Sequence, residues 1–216
     1  MITLPLEEQA MLTTLLTQPH RHYHNINHVN DCLTEFYTYE AAAANLTYGE
    51  ADALIYSIWY HDSIYNPYAP AGYNEKQSAD LFYQKHKQNG DIAHTIVGSI
   101  AKTAKHTITQ PELFGITQLL LDIDLSGLGK PMRIFAKNSF NIRQEYYNTT
   151  DEDVIKGRLA FFEKLNKRES FYYTDYFREL YHDTAKQNVA LEIEALTYAA
   201  NNNDTEWYFE RLAGWQ

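Results

Sequence analysis

One cysteine, Cys32, stands among 216 residues. With no second thiol in the chain an internal disulfide cannot form, and a reducing cytoplasm is the expected compartment. Long apolar runs are also missing: no stretch approaches the roughly 20 residues that a bilayer-spanning helix needs. The opening Met1-Ile2-Thr3-Leu4-Pro5-Leu6-Glu7-Glu8 lacks the basic and apolar regions of a secretory signal. No membrane association is expected. Positive charge is scarce, with 18 Lys and Arg against 28 Asp and Glu and a formal charge of −10. That balance excludes broad binding to extended nucleic acid or anionic lipid, both of which call for a basic face. It leaves room for a phosphate substrate, because a metal ion and one or two arginines reverse the field locally. Strand signals are nearly absent, since no alternating run is bounded by Asn-Gly or Asp-Gly turns. There is no solenoid-period repeat, low-complexity linker or composition break to divide the chain.

What is present reads as helices. Hydrophobic residues at 44% and charged residues at 21% are ordinary for a globular protein. Eighteen tyrosines suit core edges and polar clefts, where a ring is buried and its hydroxyl stays bonded. Apolar periodicity predicts helices over 6–16 and from Ile26 to about Ala44. Thr47-x-x-Glu50 is a capping-box signature ahead of a third, apolar helix ending in His61-Asp62, and the Pro/Gly loop 66–72 stops it. Asn74 is placed to cap a helix from Glu75 to about Gln88, and Asp91 opens the next, to about Lys105. After a turn over 106–111, a buried helix over 113–124 ends in Asp122 and Asp124. Pro131 begins a helix to about Tyr147, Thr150-Asp151 caps another to about Leu165, and a long one spans about 174–200. The aromatics between Trp207 and Trp215 are expected to pack back on the body. The expected fold is all-α: one helical domain over 1–216, with a site-bearing core over about 20–147 and helices from about 150 packed on it.

Three places join metal-ligand residues to helix ends: His24/His28, His61/Asp62 and Asp122/Asp124. Residues four apart share a helix face, so His24 and His28 can serve one cavity. His61 and Asp62 diverge by about 100° on a helix, yet can flank an ion beside its end. A late carboxylate would complete a mixed nitrogen and oxygen site with water positions open. The bland alternatives are a bonded core histidine and carboxylates that are solvated or cap the next segment. By chance alone nine His and twelve Asp yield about half a His-Asp pair. The chain carries a second one, His182-Asp183, in a polar context that reads as a surface helix pair.

The order His28, His61-Asp62, Asp124 resembles the H…HD…D signature of the HD-domain metal-dependent phosphohydrolase superfamily, an all-helical HD-type array. Tyr23-His24-Asn25-Ile26-Asn27-His28 is similar to the YHNxxH element of cyclic-nucleotide phosphodiesterases. Longer segments resemble an uncharacterised bacterial HD family of predicted phosphohydrolases. They are Arg21-x-Tyr23-His24, Trp59 to Pro67, Asn74-Glu75-x-x-Ser78-Ala79, Asp122 to Gly129, Ile142 to Tyr146, and the helix containing Glu192.

This resemblance implies a divalent-metal-dependent phosphohydrolase acting on a small phosphate ester or nucleotide, with metal-bound hydroxide attacking phosphorus. His28, His61, Asp62 and Asp124 are then the metal ligands, for Mn, Mg, Co, Ni, Zn or Fe. His24 is the implied general acid, its alternatives a second ligand or a bonded histidine. Asp62 could also orient the attacking water, and Glu75 could act as base or support a ligand, or merely complement its helix dipole. Arg21 and Arg143 are candidates for bidentate phosphate binding, or for pairing with a carboxylate such as Glu145. His106 would extend the site toward a second ion, but no further histidine pair accompanies it, so one ion is expected. A di-iron oxygenase would need more histidine ligands, from His86, His94 and His106. A non-enzymatic module binding nucleotide or phosphate is the third option. Substrate, metal identity and oligomeric state, homo-oligomer included, stay open.

Overall fold

In a computed structural model the described residues are 4–43, 46–108 and 115–214; Ala44, the 109–114 part of the turn and helix start, and Trp215 lie outside them. Among the described residues the regular structure is entirely helical, so the protein is all-α, and no helix is long and apolar enough to cross a membrane. The chain divides into two compact units, Met1–Asp124 and Leu125–Gln216.

The first unit contains α1 (Leu6–Leu16), α2 (Ile26–Ala43), α3 (Tyr48–Tyr60), α4 (Tyr73–His86), a 3-10 turn at Lys87–Asn89, α5 (Asp91–Thr103) and α6 (Ile116–Asp124). Its centre is α3, which packs against α2, α4, α5 and α6. A helix enclosed on most sides must be apolar nearly all round, and Ala51, Ala53, Leu54, Ile55, Ile58 and Tyr60 are all buried. Leu54 and Ile58 are each worth roughly 1.5–3 kcal/mol of burial. Ser57, also buried, satisfies its hydroxyl on the Ala53 carbonyl at 2.8 Å. The helix starts where Thr47 accepts from the Glu50 amide at 3.3 Å while Glu50 accepts from the Thr47 amide at 2.9 Å, a complete capping box. At the other end the Tyr60 hydroxyl donates to buried Glu8 of α1, which His86 of α4 also contacts at 2.7 Å.

Two local expectations need correcting. His24 and His28 do not share a helix face, because Asn25 starts α2: its side chain accepts from the Asn27 amide at 2.8 Å, leaving His24 in the preceding turn. Asn74 does not cap α4, which begins one residue earlier after left-handed Gly72. It instead bridges back to Asn66, accepting from the amide and donating to the carbonyl, both at 3.0 Å. Two hydrogen bonds to one loop residue hold the 66–74 turn closed.

The second unit contains a 3-10 turn at Leu125–Gly129, α7 (Met132–Glu145), α8 (Asp151–Asn166), α9 (Asp175–Asn202) and α10 (Thr205–Ala213). The 28-residue α9 is its spine, touching α8, α10 and the 3-10 turn. Asn188 on α9 donates to the Leu128 and Lys130 carbonyls at 2.8 and 2.9 Å, holding that turn. Buried Glu192 accepts from Arg158 of α8 at 3.1 Å and from the Tyr208 hydroxyl of α10 at 2.5 Å, and lies 3.6 Å from Arg211. Tyr208 is fully buried, whereas Trp207 stays partly exposed against the Tyr198 ring. His182 is half-buried, its Nδ1 lying 3.4 Å from the Ser170 hydroxyl, and Asp183 points to solvent.

Candidate metal centre

Four segments of the first unit end at one point. Asn25 sets His28 in the first turn of α2, with its backbone amide 3.4 Å from the Asn25 carboxamide oxygen. His61 closes α3, its amide donating to the Ser57 carbonyl at 2.9 Å, and Asp62 follows where the chain leaves the helix. Asp124 is the last residue of α6. His106 stands just beyond α5.

The side chains converge closely. His28 Nε2 lies 3.1 Å from Asp124 Oδ1, 3.3 Å from His61 Nε2 and 3.7 Å from Asp62 Oδ2. His61 Nε2 lies 3.2 Å from Asp62 Oδ2 and 3.6 Å from Asp124 Oδ1. His61 is 1% exposed and His28 7%, while the Asp62 and Asp124 side chains keep 16% and 13% of their surface. Burial opposes charge on His61, yet Asp62 and Asp124 beside it outweigh that and raise its pKa well above the ordinary histidine value. Burial likewise opposes ionising the two carboxyls, and the His61 charge overrides it, holding Asp62 and Asp124 below the usual carboxylate range.

The His28, His61 and Asp124 part of this set could hold a metal ion. Ligands about 2.0–2.1 Å from one ion stand about 2.8–3.4 Å apart at right-angle or tetrahedral geometry, and the 3.1, 3.2 and 3.3 Å spacings fall in that range while those of 3.6 and 3.7 Å are wider. Nδ1 of His61 lies 2.8 Å from the Ile58 carbonyl, which can only accept, so Nε2 is the nitrogen that faces the carboxylates. Asp62 Oδ2 is buried 3.2 Å from His61 Nε2 and 3.7 Å from His28 Nε2, with no donor in good hydrogen-bond geometry. An anionic oxygen without a donor is costly to bury, and a cation would satisfy it.

Cys32, four residues after His28 on α2, supplies a sulfur to the same neighbourhood, and the buried group His28, Cys32, His61 and Asp124 could hold a metal ion. Its Sγ sits 3.8 and 3.9 Å from the two ring nitrogens of His28, against the ring rather than on one lone pair. Burial and then Asp124 push the thiol pKa well up, which keeps it protonated.

The other candidates are spread more widely. His24 stacks on Tyr65 with centroids 4.4 Å apart, and its ring centre is 6.3 Å from that of His28. Glu75 is half-buried in the first turn of α4. Arg21 is buried, and its guanidinium donates to the carbonyls of His24 at 2.9 Å, Asp62 at 2.6 Å and Ser63 at 2.9 Å. That fork ties the 20–25 loop to the chain leaving α3. Arg143 belongs to the second unit, where it pairs with Asp151, donates to the Tyr146 carbonyl at 3.1 Å and covers the Phe209 ring. His86 is engaged with Glu8, and exposed His94 lies 3.0 Å from the Gly90 carbonyl.

Two neighbours were only partly legible in the sequence. Cys32 carried one usable signal, its spacing of four from His28. His106 stands there only as an extension toward a second ion, and the backbone turn after α5 aims it, placing Nε2 2.8 Å from Asp124 Oδ2. Compared with known proteins, the chain matches no protein-family model, no curated protein and no solved structure.

Proposed function

We propose that the first unit is a divalent-metal phosphohydrolase centre of the HD type, acting on a small phosphate ester or nucleotide. One observation carries this reading: the imidazole nitrogens of His28 and His61 lie 3.3 Å apart and 3.1–3.7 Å from carboxylate oxygens of Asp62 and Asp124 in a largely buried site. The order H…HD…D and the Tyr23-to-His28 element, which resemble the HD superfamily, support it further.

When bound, the ion would polarise a phosphoryl oxygen and acidify a water near neutral pH. The protein's own residues would do the rest. His28 and His61 supply neutral nitrogen donors once His61 has lost its proton. Asp62 and Asp124 stay ionised and balance the added charge. His24, at the rim of the cluster on the Tyr65 ring, is the residue to protonate a leaving oxygen. Arg21 holds the loop that carries His24 against the backbone of Asp62 and Ser63, fixing acid and ligands relative to each other.

The test is a hydrolysis screen across monoesters, diesters and nucleotides with added Mn²⁺, Co²⁺, Ni²⁺ or Mg²⁺. Release of phosphate or cleavage of an ester, abolished in Asp62→Ala, is the expected result. Activity that survives in Asp62→Ala belongs to another protein in the preparation. Tight metal binding with no turnover on any compound would leave a binding module in place of an enzyme.

A further inference from the structure

His106 adopts a positive φ of 47°, a left-handed conformation three residues past the end of α5. Its amide still reaches back to the Lys102 carbonyl at 2.9 Å, so the residue terminates the helical turn. Glycine or asparagine usually fills that position, because a side chain with a full β-carbon is strained there. Here a histidine accepts the strain, and the turn delivers its ring to Asp124. The Nε2 to Oδ2 distance of 2.8 Å is a hydrogen-bond length. A carboxylate oxygen only accepts, so Nε2 carries the proton.

We infer that His106 is a positioning residue of the metal centre: it holds Asp124 by Oδ2 so that Oδ1 is the oxygen turned toward His28 and His61. Without that bond only the contacts of Oδ1 with His28 and His61 hold the carboxylate, and Oδ2 can turn toward an ion as well. The inference rests on the metal-centre reading above and adds to it the residue that orients one ligand.

Glycine is the informative substitution, because it relieves the left-handed strain while removing the ring. Metal-free wild type, H106G and H106Q are titrated with Co²⁺, and thermal unfolding is followed in EDTA. H106G is expected to unfold at or above the wild-type temperature yet bind Co²⁺ about 10- to 100-fold more weakly, with an altered d–d absorption spectrum. H106Q, whose amide can still donate to Asp124, should recover part of the affinity. Equal Co²⁺ affinity in wild type and H106G overturns the inference alone. So does a parallel loss of EDTA-state stability and binding in H106G, which would mark the residue as a helix end only. Absence of Co²⁺ binding in wild type overturns the metal-centre reading and this inference with it.

Discussion

The Nδ1 atom of His61 is held 2.8 Å from the carbonyl oxygen of Ile58, three residues back, and this contact aims the opposite nitrogen at Asp62 and Asp124. The same geometry sets a pH dependence. His61 has a raised folded-state pKa, so its contribution to stability is full below about pH 6.5 and is lost as pH rises through the folded value. Asp62 and Asp124 are lowered, so theirs is full above about pH 3.9 and is lost as pH falls through the folded values. In EDTA the cluster should therefore stabilise most between about pH 4 and about pH 6.5. An added divalent ion competes with the His61 proton, so the stabilisation by Co²⁺ should grow as pH rises. Thermal midpoints with EDTA and with Co²⁺ across this range check both signs.

Arg21 satisfies three backbone carbonyls from a buried position. Arg21→Ala should cost about 3 kcal/mol or more in urea unfolding, since the acceptors lose a charged donor in a site with little room for water. Arg21→Lys should recover little, because an ammonium cannot reproduce the planar fork. A lysine variant as stable as wild type would show that charge alone, and not the fork, holds this loop.

In the second unit buried Glu192 is the counter-charge of Arg158, whose side chain is 11% exposed. Glu192→Gln keeps the shape and removes the charge, leaving a guanidinium without compensation at an expected cost of about 3–5 kcal/mol. Tyr208→Phe removes one hydroxyl donor and should cost about 1–2 kcal/mol. Chemical denaturation of both variants measures the ratio.

Gly129 passes so close to α9 that an added Cβ would lie 2.5 Å from Tyr181 Cβ and 2.8 Å from its Cγ. Gly129→Ala should destabilise by about 1–3 kcal/mol through overpacking. Because the clash meets the root of the tyrosine, Tyr181→Phe should not relieve it. A double-mutant unfolding comparison decides the point.

The helical class was legible because α3 and its neighbours carry caps and apolar periodicity in the chain itself, as Thr47 and Glu50 illustrate. The residues of the candidate centre were legible as candidates because imidazoles and carboxylates stand at helix ends, where side chains can converge. Their supports were not. Arg21 reads as a phosphate or carboxylate partner, and only the fold brings the carbonyls of Asp62 and Ser63, more than 40 residues away, to its guanidinium. Asn74 looks like a cap by position, yet spends its amide on Asn66 because Gly72 starts the helix earlier. His106 depends on one backbone angle that no residue pattern announced.

The contact between His28 and Asp124 closes a span of 96 residues. Loop-closure entropy makes such a contact late in assembly, after the local turns of α2 and α3 have formed. An ion that requires both residues is therefore an optical clock for folding. In a stopped-flow refolding experiment, cobalt absorption would mark the arrival of α6, while far-ultraviolet dichroism marks the earlier helices.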